Sequence, residues 1–163
     1  EKLMESLPQG YLLCLGEDDA ERRQQIWHLL DATEEKLAGQ FETFAAELAR
    51  EPEADTRVSR LPVALPFATT LFPSASFDLR EALRIHARGI AGVAKNAAGR
   101  SPKSKAFTMS AELFLMQHTC HWFCKSKAVA SARMLARHQT SYEQLLDAVS
   151  PETREAYRAL VGQ

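Results

Sequence analysis

DAERRQQIWHLLDATEEKLAGQFETFAAELARE, residues 19–51, contains one glycine and no proline. At 100° per residue, Ile26, Leu30, Thr33, Leu37, Phe41, Phe44 and Leu48 fall within roughly 80° of one another. Such a stripe must face other apolar surface, so the stretch predicts one long amphipathic helix. Asp18 stands where an N-cap is needed, and Glu21 stands where a capping box places its acid. Trp27 and His28 point away from the centre of the stripe. An off-stripe tryptophan marks either a second packing partner or an interface, and Trp27 is taken as the interface candidate.

Upstream, Tyr11-Leu12-Leu13-Cys14-Leu15 is a short apolar run bounded by glycines. It reads as a short strand or an arm packed on the bundle. Downstream, Pro52, Pro62, Pro66 and Pro73 interrupt any helix, each removing a backbone donor. Leu61, Val63, Leu65, Phe67, Leu71 and Phe72 make that crossover apolar, so it should fold over the bundle, with a short helix near Phe67 to Leu71. Long ordered crossovers often line a site or an interface.

A second helix is expected from Phe77 to Ala98, capped by Ser76 or Asp78. Its stripe is Leu79, Leu83, His86, Ile90, Val93, Ala94 and Ala97. Gly89 and Gly92 lower its helix propensity by about 1 kcal/mol each, and with the alanines around them they suit close approach of another helix. Gly99 to Ala106 reads as a basic turn, with Thr108 as a cap. From Met109 to Val149 no glycine or proline intervenes. The stretch is one helix, or two broken near Lys125 to Ala130. Its stripe is Leu113, Cys120, Cys124, Ser131, Leu135, His138, Tyr142, Leu145 and Val149. Ser150 and Pro151 open a last short helix, Glu152 to Val161, closed by Gly162. The fold expected is all-α: a bundle of long amphipathic helices with a proline-rich crossover and a short C-terminal helix.

The chain of 163 residues is 45% hydrophobic and 25% charged, which fits one globular domain over 1–163 and rules out disorder. It opens without an initiator methionine, so excision from a larger protein stays open. No signal-peptide pattern and no apolar run of membrane-spanning length occurs, so the expectation is a soluble, cytoplasmic protein with no membrane partner. Cys14, Cys120 and Cys124 are too few and too oddly spaced for a disulfide framework.

Net charge is −1, but it is segregated. Residues 1–56 carry 5 basic and 14 acidic groups, a net of −9; residues 57–138 carry 13 basic and 3 acidic groups, a net of +10. The basic residues Arg80, Arg84, Arg88 and Lys95, the turn residues Arg100, Lys103 and Lys105, and Lys125, Lys127, Arg133 and Arg137 are expected to meet the acidic first helix, within or between subunits. An acidic protein or a small anion is the other possible counterpart. Nucleic acid is disfavoured by the near-neutral total and the lack of a recognition-helix module. Glu34-Glu35 and Asp18-Asp19 are adjacent, so their side chains diverge and are expected in solvent.

His118-Thr-Cys120-His121-Trp-Phe-Cys124 carries imidazole and thiol at helical spacing, so His118, His121 and Cys124 form the metal candidate, with haem or a transition metal as cofactor. The spacing puts Cys120 and Cys124 mid-stripe and His118 away from it. His86 and His138 lie on apolar stripes, where an imidazole is either satisfied by a facing side chain or exposed to a ligand cavity. With His121, Arg84 and Arg88 they make the ligand-binding candidates. His86-Ala-Arg88-Gly89 departs from the histidine-phosphotransfer spacing by one place and sits on a buried face. No nucleophile elbow or phosphate loop occurs, so no catalytic residue is assigned. The function expected is a helical regulatory or protein-interaction module that self-associates. A small-ligand sensor is the alternative, and an enzyme comes third.

Overall fold

A computed structural model describes residues 2–162, with side chains except at positions 2, 3 and 5. It is an all-α bundle carrying one small two-stranded sheet. The elements in order are α1 (Lys2–Leu15), α2 (Ala20–Leu48), β1 (Arg57–Ser59), α3 (Ala68–Leu71), β2 (Ser76–Asp78), α4 (Leu79–Ala94), α5 (Pro102–Cys124), α6 (Lys127–His138), α7 (Tyr142–Ala148) and α8 (Pro151–Val161). Among these helices none is long and apolar enough to cross a membrane.

The Tyr11–Leu15 run is neither strand nor arm; it is the last turn and a half of α1. Leu7, Tyr11 and Cys14 recur at four and three residues and are all buried, whereas Leu12 and Leu13 face out. The helix survives Pro8, which removes one rung of its backbone bonding. α2 follows the predicted period, but its cap is Asp19, whose Oδ1 accepts from Arg22 N at 2.9 Å. Its buried line is Leu30, Glu34, Leu37, Ala38, Phe41 and Ala45. Phe44, placed on the stripe by periodicity, is 45% exposed.

Glu34 is the larger correction. It is 2% exposed, because it continues the Leu30 line by one turn. Its Oε2 lies 2.6 Å from Lys105 Nζ, and its Oε1 accepts a hydrogen bond from Tyr11. Lys105 also meets Asp31 Oδ1 at 2.7 Å. The acidic and basic segments therefore do meet within one chain, at a buried junction of α1, α2 and α5.

α4 begins at Leu79, two residues after the predicted start, because Phe77 belongs to β2. β1 and β2 pair antiparallel, Val58 opposite Phe77. Trp122 pins this sheet to α5: its Nε1 donates to Ser59 O at 2.8 Å, and its ring meets Phe77 edge-on at 5.1 Å. Asp78 caps α4 by accepting from Arg80 N.

Gly89 marks the crossing of α4 with α5 and α8. A Cβ at that position would lie 2.3 Å from Thr153 Oγ1 and 2.6 Å from Glu112 Oε2. Glu112 in turn holds the start of α8, accepting from Ser150 N at 3.0 Å; the predicted Ser150 side-chain cap is not formed. Gly89→Ala should therefore cost about 1–3 kcal/mol, the usual penalty of overpacking. Urea denaturation checks this, and an unchanged midpoint would mean that α8 yields there freely.

The stretch from Met109 to Val149 breaks twice, once at Lys125–Ser126 as one reading foresaw, and again at Gln139–Ser141. Gln139 turns left-handed at φ 51°, and Ser141 with Gln144 forms a capping box for α7. α5 starts seven residues before Met109, capped by Ser101. Its buried face carries His118, Thr119 and Trp122; Cys120 is half-buried and Cys124 exposed. Leu135, on the predicted stripe, is 58% exposed.

Candidate interaction surfaces and the buried histidine network

His86 of α4 is fully buried. Its Nε2 lies 2.9 Å from Thr119 Oγ1, and Thr119 donates its own proton to Leu115 O at 3.0 Å. With that proton on Leu115 O the hydroxyl accepts from His86 Nε2, and burial, with no partner at Nδ1, keeps the imidazole neutral. Nδ1 is left as a buried acceptor without a partner. Thr119 Oγ1 also meets Tyr157 OH at 2.8 Å, and Tyr157 is bonded to Tyr142. His118 stacks on Tyr142 with ring centroids 4.6 Å apart and places Nε2 3.0 Å from Ser131 Oγ. One polar network thus ties α4, α5, α6, α7 and α8 together through the core. Burial, with a smaller push from His118, drives His86 down to about 3; burial, then Lys127 and His121, drives His118 down to about 4.

The predicted metal set is not gathered. His118 is turned into the core and Cys124 into solvent, because the buried face of α5 passes through His118 and Trp122. Among the described residues no three His, Cys, Asp or Glu side chains come together in a way that could hold a metal ion. His121 lines a groove of about 400 Å³ between α5 and α6 with Arg133 and Arg137. His138 stacks on Phe114 at 4.0 Å, with Nε2 3.3 Å from Gln117 Oε1. Arg84 is exposed and pairs with Glu81. Arg88 opens into a cavity of about 460 Å³ between α4 and α8, where Arg100 joins it. Asn96 fixes Arg100 by bonding its backbone N–H and C=O, at 2.8 and 2.9 Å. Trp27 is half-buried, its ring 6.2 Å from that of Tyr11, so the off-stripe tryptophan has a partner in α1.

Two groups of exposed apolar side chains lie off the predicted helical stripes. The first lies on the crossover, where Val63, Leu65, Phe67, Leu71 and Phe72 are each half or more exposed, Phe67 reaching 78%. Arg60 Nη2 donates to Leu160 O at 2.7 Å, and Ala128 N donates to Pro62 O at 3.1 Å, so the N-terminal end of the segment is tethered. Phe67 adopts a left-handed φ of 57°, a costly conformation for a bulky residue, and turns its ring to solvent. Beside it lies a hollow of about 180 Å³ bordered by Arg57, Phe123 and Lys125. The second surface comprises Leu12 and Leu13 of α1 and Leu29 of α2, each 70% exposed or more. Glu17, Asp18, Asp19 and Glu21 surround the turn at this end. The sequence held a signal for it: Leu29 is off the stripe, and Leu12 and Leu13 flank buried positions.

Comparison with protein-family models, with curated proteins and with solved structures finds no match for this chain.

Proposed function

We propose that this chain is a helical interaction module that self-associates head to tail, the crossover of one copy docking on the α1–α2 end of the next. The supporting observation is a pair of exposed apolar surfaces at opposite ends of the bundle, set in segments of opposite charge. Contiguous exposed apolar patches on a folded chain mark interaction sites. The α1–α2 surface lies by the N-terminal end of α5, where Lys105 meets Glu34 and Tyr11. The crossover lies by its C-terminal end, at Trp122 and Phe123. The 23 residues of α5 set the ends about 34 Å apart. With one surface at each end, we read the contact as heterologous, each copy's crossover meeting the next copy's α1–α2 surface. The +10 segment carries the crossover and the −9 segment carries α1 and α2. Complementary fields of that kind steer association and set its orientation.

Light scattering behind size exclusion tests the reading. The wild-type mass should rise with concentration and fall with added salt. Phe67→Asp and Leu13→Asp, both at exposed positions, should each be monomeric alone. Mixed, they should form a one-to-one dimer, because each keeps the surface that the other lacks. A wild-type monomer at high micromolar concentration, or a mixture that stays monomeric, overturns the proposal.

A further inference from the structure

We propose that Met116, Cys120 and Cys124 form a binding site for a soft monovalent metal ion of the Cu(I) class, at the C-terminal end of α5. The three residues recur every four along one helix, so their side chains follow one another on neighbouring turns of one face. Cys120 Sγ lies 3.9 Å from Met116 Sδ. Two metal–sulfur bonds of about 2.3 Å meeting at a trigonal angle hold their sulfurs about 4 Å apart, so this pair needs almost no movement to share an ion. Cys124 is the last residue of the helix and is exposed, so its thiol can turn toward Cys120 without repacking the core. The two thiols are within electrostatic reach of each other: burial first, then the charge of Cys124, pushes the Cys120 thiol up to about 11.

Depth orders the donors. Cys124 meets solvent, Cys120 is half-buried and Met116 is buried, so an ion caught by the outer thiol passes to the inner one and finds the thioether behind it. α5 ends there, and the negative end of its dipole favours a cation. The donors set the class of ion, because thiolate and thioether together select Cu(I). Zn(II) instead takes thiolate, imidazole and carboxylate ligands, and among the described residues no three such groups gather. His118 and His121 take no part: one is turned to Ser131, the other to the groove between α5 and α6. Binding is an exchange without oxidation. Each thiol gives its proton to water as its sulfur–metal bond forms, and the thioether adds only a lone pair. One ion therefore releases two protons and leaves a complex of net charge one negative.

The test is an anaerobic titration of the reduced full chain with Cu(I) against a coloured Cu(I) chelator, repeated with Ag(I) as a redox-inert ion of the same class. The wild type should bind one ion per chain and release two protons. Cys120→Ser and Cys124→Ser should each weaken binding about a hundredfold or more, since losing a mere outer-shell partner of a metal already costs about 10–100-fold. Met116→Leu, a volume-conserving change, should weaken it about tenfold with the helical circular dichroism unchanged. Cys14, sealed between α1 and α2, is the control, and Cys14→Ala should bind as the wild type does. Wild-type affinity in any of the three site variants, an equal loss in Cys14→Ala, or Zn(II) held as tightly as Cu(I), overturns the proposal. So does a mass by light scattering that doubles only when the ion is added, because one ion bridging two chains needs no more than the exposed Cys124 of each.

Discussion

Lys105→Met should unfold at a much lower urea concentration than the wild type, because it strands a carboxylate in the core. Glu34 is 2% exposed, and Lys105 Nζ, 2.6 Å away, is the cation that balances it. Burial pushes the Glu34 pKa up, against the pull of Lys105 and Tyr11. Removing one partner of a buried ion pair costs about 3–5 kcal/mol, whereas replacing both with neutral groups of similar shape is often neutral. Glu34→Gln added to Lys105→Met should therefore recover most of the loss, since glutamine still accepts from Tyr11. Asp31 is half-exposed and stays solvated without the lysine. A single variant within about 1 kcal/mol of wild type, outside the error of such cycles, would show that the pair is not the balance described.

Acid should weaken the protein well above the pH at which ordinary carboxylates protonate. His86 and His118 are neutral in the folded chain, lowered to about 3 and about 4, while both take up a proton near 6.5 once unfolded. As pH falls below 6.5 the unfolded state gains protons and the folded state does not, so stability is full above that pH and declines beneath it. Each histidine contributes a slope of about 1.4 kcal/mol per pH unit, and the two together about 5 kcal/mol between pH 7 and 4.5. Glu34 and Glu112 act in the opposite sense, since burial raises both in the folded state. The comparison with variants isolates the imidazoles: His86→Gln and His118→Gln should each flatten the slope of unfolding free energy between pH 6 and 5 by one histidine's share. Slopes identical to wild type would mean that the imidazoles are hydrated or charged in the fold.

The helical class, the start and end of α8 and the short helix in the crossover were legible because they rest on local rules: helical period, Pro151 at the first turn, Gly162 at the last. The β1–β2 pair was not legible. Three residues per strand carry no readable alternation, and the pairing of Val58 with Phe77 is a tertiary contact, backed by Trp122 of α5 against Phe77. The face of α5 was misjudged for a different reason. α1, α4, α6, α7 and β1 surround that helix. With neighbours on so many sides, burial has little phase, and Lys105, Glu112, His118 and Thr119 are covered along with the apolar residues. Glu34 reads as solvated because charge outweighs position in a sequence, and although Lys105 is expected to meet the acidic first helix, its pairing with Glu34 across 71 residues depends on tertiary contact. The histidine candidates divide likewise. His86 was placed inward by its stripe, while the partners that make its surroundings polar lie on α5 and α8. The break at Gln139 had a legible sign in the Ser141–Gln144 capping box, masked by the absence of glycine and proline.

Three thiols sit at graded depth: Cys124 at the surface, Cys120 midway, Cys14 sealed where α1 lies along α2, its Sγ donating to Arg23 O at 3.4 Å. An alkylating reagent arriving from solvent meets the first without any motion of the chain and reaches the last only when the N-terminal hairpin parts. The molecule thus carries its own built-in gauge of breathing, one that distinguishes the lifting of a single hairpin from collapse of the whole.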